Sequence, residues 1–62
     1  MFIADTNTWY DEDKELFGCY VGKQDLGLYY TAWGTSANAA TLRANFLAKV
    51  LNDLTYKKAK KQ

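Results

Sequence analysis

Residues 35–58 read TSANAATLRANFLAKVLNDLTYKK, and the reading of this stretch decides the fold. Alanines at 37, 39, 40, 44 and 48 favour helix, and the chain contains no proline. At about 100° per residue, Ala39, Ala40, Phe46, Leu47, Val50, Leu51 and Leu54 share one broad arc. Thr41, Asn45, Lys49 and Asn52 fall opposite, with Leu42 and Ala44 at the two edges of the arc. Gly34 breaks the segment before the helix, and Thr35 or Ser36 offers a hydroxyl to cap the orphan N–H groups. The arc is wider than a small sheet needs; it reads first as a generous core face and, as the alternative, as a helix that touches a second chain as well as its own sheet. Arg43 interrupts the pattern, because Ala39, Ala40, Phe46 and Leu47 are its neighbours three and four positions away. A cation there snorkels past its neighbours, pairs with a carboxylate or faces an anionic ligand. Arg43 is therefore the leading polar site candidate.

Upstream of this helix the pattern predicts three strands. The first spans Phe2 to Thr8, with Trp9 and Tyr10 continuing it or opening the turn. Both alternating sets in this strand mix apolar with polar residues. Asp11-Glu12-Asp13-Lys14 is the polar connection. Its acids, with Glu15, resemble a calcium loop only in charge, since the glycine and the distal glutamate of an EF-hand are missing. The second strand spans Glu15 to Gly22, with Phe17, Cys19 and Val21 on one face. Leu16 and Tyr20 lie on the other, beside Gly18 and Gly22. Lys23 to Gly27 closes a hairpin, Asp25 and Gly27 fitting a type I turn that ends in a left-handed residue. Leu28 to Trp33 is the third strand. Tyr29, Thr31 and Trp33 point one way, and Leu28, Tyr30 and Ala32 the other. The expected fold is α+β: an antiparallel three-stranded sheet followed by one long C-terminal helix (βββα). Residues 1–58 form the single domain, and 59–62 a basic tail.

A chain of 62 residues buries only about 60% of the surface its unfolded form exposes, so it needs dense packing or a partner. Cys19 is the only cysteine and there is no histidine, which argues against a disulfide framework, a zinc site and the common general base. Cys19, between Phe17 and Val21, reads as a buried inert thiol. No glycine-rich phosphate loop is present: Gly18-Cys19-Tyr20-Val21-Gly22 lacks a lysine and a following helix. A non-enzymatic protein without a cofactor or metal is expected. The start of the chain lacks a basic segment followed by a long apolar one, and no stretch approaches the ~20 apolar residues that span a bilayer. These features predict a soluble cytoplasmic protein with no membrane contact.

Net charge is +1, but residues 1–25 carry −4 and residues 26–62 carry +5. Such opposed ends favour head-to-tail or antiparallel contacts between copies. A homo-oligomer, most simply a dimer, is the expectation.

Ten aromatic residues lead towards function. One helix covers one face of a three-stranded sheet, which leaves the other face to hold some of Trp9, Tyr20, Tyr29 and Trp33. Exposed Trp and Tyr in a row are the material of interfaces. Together with Arg43, these four are the candidate binding residues. The first reading is a small interaction protein that binds and occludes a larger protein, in the manner of phage or mobile-element inhibitors of host enzymes. A nucleotide-sized ligand gripped at a dimer interface, with Arg43 on a phosphate, is the alternative. Nucleic-acid binding comes third, because base stacking needs a cationic groove beside the rings and the sheet half is acidic. The βββα order resembles, in topology alone, the small sheet domains with which some integrases and plant regulators read DNA. Those place basic residues on the sheet strands, which this chain lacks.

Overall fold

A computed structural model describes residues 1–23 and 27–60, with side chains through Leu54. The expected hairpin turn at 24–26 and the side chains of the basic end, 55–62, lie outside the described residues. Strands β1 (Ile3–Asp11), β2 (Leu16–Lys23) and β3 (Leu28–Gly34) form an antiparallel sheet in the order β1-β2-β3. Helix α1 (Ala37–Lys60) follows and packs on one face of it. The βββα expectation therefore holds, with each strand displaced or extended by one to three residues.

Polar turn chemistry joins β1 to β2. The Asp11 carboxylate accepts the Lys14 N–H at 3.0 Å, and Glu15 takes a positive φ of 56°. Gly27, at the far hairpin, has φ 65°, the left-handed conformation its sequence position called for. Register pairs Cys19 with Ala32, Val21 with Tyr30 and Phe17 with Gly34. These rows face the helix, so Phe17, Cys19 and Val21 point inward. Opposite Tyr20 the β1 ladder is interrupted between Ala4 and Thr8. The interruption spends Asp5, Thr6 and Asn7 against one residue of β2 and returns the strand in the same phase. It explains why β1 shows no clean alternation. Within it, Asp5 accepts the Asn7 N–H at 3.2 Å on its carboxylate, and its freed carbonyl accepts the Cys19 thiol at 3.3 Å.

The Ser36 hydroxyl caps α1, accepting the Ala39 N–H at 3.1 Å, while its carbonyl accepts the Ala40 N–H at 3.0 Å. The side of α1 that meets the sheet differs from the expected one. Ala40, Ala44 and Ala48 are buried, with Leu47 and Leu51 packed alongside. Phe46 and Leu54, placed on the core arc from their hydrophobicity, stand exposed. Thr41 and Asn52, placed on the solvent side, are half-buried. The helix is rotated by roughly a quarter turn from the arc its largest side chains define. Gly34 marks a close approach at the start of α1. A Cβ there would come within 2.5 Å of the Ala40 backbone nitrogen and 2.8 Å of the Ala39 carbonyl carbon. Where β3 turns into α1 the helix backbone itself meets the sheet, and the core is Phe2, Cys19, Val21, Ala32 and three alanines of α1, with Phe17, Leu47 and Leu51 packed against it.

Asn52 ties the first residues of the chain to this helix. Its Oδ1 accepts the Phe2 N–H at 2.7 Å, and its Nδ2 donates to the Phe2 carbonyl at 3.0 Å. The pair seats the Phe2 ring in the core beside Tyr30, 5.9 Å between centroids. Asn52→Ala is expected to lower the unfolding free energy by about 1–3 kcal/mol, because two part-buried backbone groups lose their partner. Asn45→Ala, which removes only a bond to the Thr41 carbonyl on the exposed side of α1, is expected to change it by less than about 0.5 kcal/mol. Denaturant titration of the two variants checks the contrast.

Candidate functional site: the open face of the sheet

The face of the sheet turned away from α1 is built on the central strand. Along β2, Gly18, Tyr20 and Gly22 alternate outward, opposite the inward Cys19 and Val21. Their cross-strand neighbours share that face. Trp9, Gly18 and Trp33 form one row, and Ile3, Gly22 and Tyr29 another. Tyr20 stands between the rows.

The two glycines serve as floors for rings. A Cβ on Gly18 would lie 2.6 Å from the Trp9 ring, and one on Gly22 would lie 2.6 Å from the Tyr29 ring. Trp9 therefore leans over β2 from one side and Tyr29 from the other. The Trp9 and Trp33 rings meet edge to face, with centroids 5.0 Å apart and planes at 85°. Trp9 and Tyr20 are tilted at 5.2 Å. Both separations lie in the range where aromatic pairs gain beyond area burial. The Lys14 ammonium sits 5.4 Å from the Trp33 ring centroid, so the turn after β1 closes one end of the cluster. Trp9 Nε1 is buried without a hydrogen-bond partner among the described residues. The two tryptophans are half-buried by these contacts, whereas Tyr20 and Tyr29 stay 44% and 61% exposed. Tryptophan thus forms the rigid base of the cluster and tyrosine its accessible rim.

Beside the rim lies a groove of about 270 Å³, lined by Ile3, Asp5, Thr6, Tyr20 and Tyr29 over Gly22. It exists because the β1 irregularity turns Asp5 and Thr6 out of the ladder. A groove lined by an aspartate and two tyrosines suits a cation or a hydrogen-bond donor better than a phosphate.

Trp9, Tyr20, Tyr29 and Trp33, proposed from sequence, thus share one face, with Trp9 in ring contact with both Tyr20 and Trp33. Arg43 is not among them. It lies on α1, and its guanidinium donates to the Trp33 carbonyl at 3.2 Å, so it ends at backbone. Sequence reasoning did not single out Ile3, Asp5 or Thr6 for the groove. Mixed polarity in residues 3–8 was the one available signal of an irregular strand. Cys19 is fully buried on the opposite face. Burial, and secondarily the Asp5 charge, push its thiol pKa up, which keeps it protonated and a poor nucleophile. Among the described residues no three His, Cys, Asp or Glu side chains gather as a metal site, and no helix is long and apolar enough to cross a membrane. No protein-family profile, curated protein or solved structure matches the chain.

Gly18→Ala is expected to displace the Trp9 ring, since the new methyl meets ring atoms at 2.6 Å. Near-ultraviolet circular dichroism should lose the signal of the coupled Trp9–Trp33 pair and tryptophan emission should shift to the red. Far-ultraviolet circular dichroism should keep its helical minimum.

Proposed function

We propose that the chain is a small non-enzymatic interaction protein whose open sheet face docks on a larger protein and occludes the surface it covers. The observation that carries this reading is the gathering of Trp9, Tyr20, Tyr29 and Trp33 on a sheet face that no other described element covers. Tyrosine and tryptophan on a rigid strand lose little rotamer entropy on binding and supply large contact area, which is why such residues dominate interface energetics. The half-buried tryptophan pair is already ordered by its own contacts, so the face is organised before a partner arrives.

The partner's complement is expected to be basic. Residues 1–25, which supply β1, β2 and the acidic turn, carry −4. The Asp5 groove beside Tyr20 and Tyr29 accepts a lysine or arginine side chain from the partner. A nucleotide meets the same carboxylate unfavourably and finds Arg43 engaged with the Trp33 carbonyl, so the ligand-binding alternative has less support. Nucleic acid is disfavoured for the same reason, with Lys14 already lying over a ring. Occlusion of a host enzyme by a phage- or mobile-element-type protein is the setting we infer, and it rests on this binding mode and not on sequence kinship.

Trp33→Ala is compared with removal of residues 59–62, each after circular dichroism has verified folding, in capture of partners from the cell in which the protein acts. Trp33→Ala should abolish a specific capture, with a loss of 2 kcal/mol or more typical of a hot spot, and the tail deletion should leave it intact. Retained capture by Trp33→Ala together with loss on tail deletion would contradict the reading and make the interface electrostatic.

A further inference from the structure

The helix carries a second apolar surface that its own sheet does not use. Leu42, Phe46, Val50 and Leu54 follow one another at intervals of four, so they form a single ridge about 18 Å long. Leu42 and Phe46 are each 70% exposed and Leu54 59%, on a chain whose core contains no leucine at all among its fully buried residues. The alanine face of α1 is already spent on the sheet; Val50 is half-buried, and no described element lies over Leu42, Phe46 and Leu54.

We propose that the ridge pairs with the same ridge of a second copy, giving an antiparallel, two-fold symmetric dimer of α1 helices. The occupant follows from symmetry and from charge. A two-fold axis at the level of Ala48 sets Leu42 against Leu54 and Phe46 against Val50 of the second copy, so every apolar residue of the ridge meets another. Two such ridges with their flanking stems remove on the order of 1,000 Å² from water, the size at which a specific interface begins. Charge selects the antiparallel orientation. The pairings Asp11↔Leu16 and Phe17↔Gly34 put the acidic turn, with Glu12, Asp13 and Glu15, at the end of the molecule where α1 starts. Sequence places Lys57, Lys58 and Lys60 at the other end of α1. Antiparallel pairing carries each lysine-rich end towards the acidic turn of the second copy, whereas parallel pairing stacks lysines on lysines. The helix dipoles are opposed as well.

Because α1 and the aromatic cluster occupy opposite faces of the sheet, this dimer leaves both clusters uncovered and pointing outward. The assembly is then bivalent. Bivalence rests on the proposed binding reading, but the dimer itself does not.

Sedimentation equilibrium of the wild-type chain at micromolar concentration tests the dimer. Twice the chain mass is expected, and Phe46→Glu should reduce it to the chain mass while circular dichroism stays native, since Phe46 lies outside the core. Added sodium chloride should weaken the wild-type dimer, because it screens attraction between acidic and basic ends. A wild-type monomer throughout, or a Phe46→Glu dimer, overturns the proposal. A dimer that tightens with salt overturns the antiparallel orientation. None of these outcomes bears on Trp33-dependent capture, which Phe46→Glu should leave measurable at the monomer level.

Discussion

The close approach of α1 to the sheet is the constraint on which the rest of the molecule depends. Ala40, Ala44 and Ala48 form the contact, and Gly34 lies so near the helix backbone that a methyl group would collide with it. A helix seated on alanines excludes water with little volume between the layers. Such a core is dense and thin. It holds Val21, Cys19 and Ala32 from the sheet, and Phe2 at the margin where Asn52 grips its backbone. Leu47, Leu51 and Phe17 line its margin, while Leu42, Phe46 and Leu54 on the helix and Tyr20 and Tyr29 on the sheet stand on the two outer surfaces.

Each outer surface is ordered by a local device. On the sheet, glycines alternate along β2 so that rings from both neighbouring strands can lie down over it. Trp9 is held by Gly18 below, Trp33 at its edge and Tyr20 beside it. On the helix, a spacing of four keeps Leu42, Phe46, Val50 and Leu54 in one ridge. The proposed division of labour assigns the sheet surface to a foreign protein and the helix surface to self-association. Arg43 belongs to neither. It fixes the start of α1 to the end of β3 through the Trp33 carbonyl, and so links the two layers.

Strand order, hairpin connections and the alternation along β2 and β3 are legible in the sequence, but not which face the helix covers. Phe17, Cys19 and Val21 alternate with Gly18, Tyr20 and Gly22 without interruption, and a period of two has only one consistent reading there. The gathering of Tyr20, Tyr29 and Trp33 is legible for the same reason, whereas Trp9 reaches them from β1, whose mixed alternation gave no clear facing. The buried side of α1 is not legible. Hydrophobicity weights Phe46 and Leu54 above Ala44 and Ala48, but steric fit to the sheet reverses that order, and fit depends on a separation that no single stretch of sequence encodes. The Asp5 groove and the Asn52 clamp were hidden by distance along the chain. One arises from a strand irregularity, and the other joins residues fifty positions apart.

The measurement that bears most directly on the thin alanine-lined core is the stability of Ala44→Leu. Ala44 is fully buried against the sheet, and leucine adds helix propensity no worse than slightly below alanine while adding volume. With Ala44 fully buried in the contact between helix and sheet, the added volume has nowhere to go. Denaturant titration should then show a loss of about 1–3 kcal/mol, the usual range for an overpacked core. Unchanged or increased stability would mean that the layers are farther apart than the alanine contact allows, and would contradict the account.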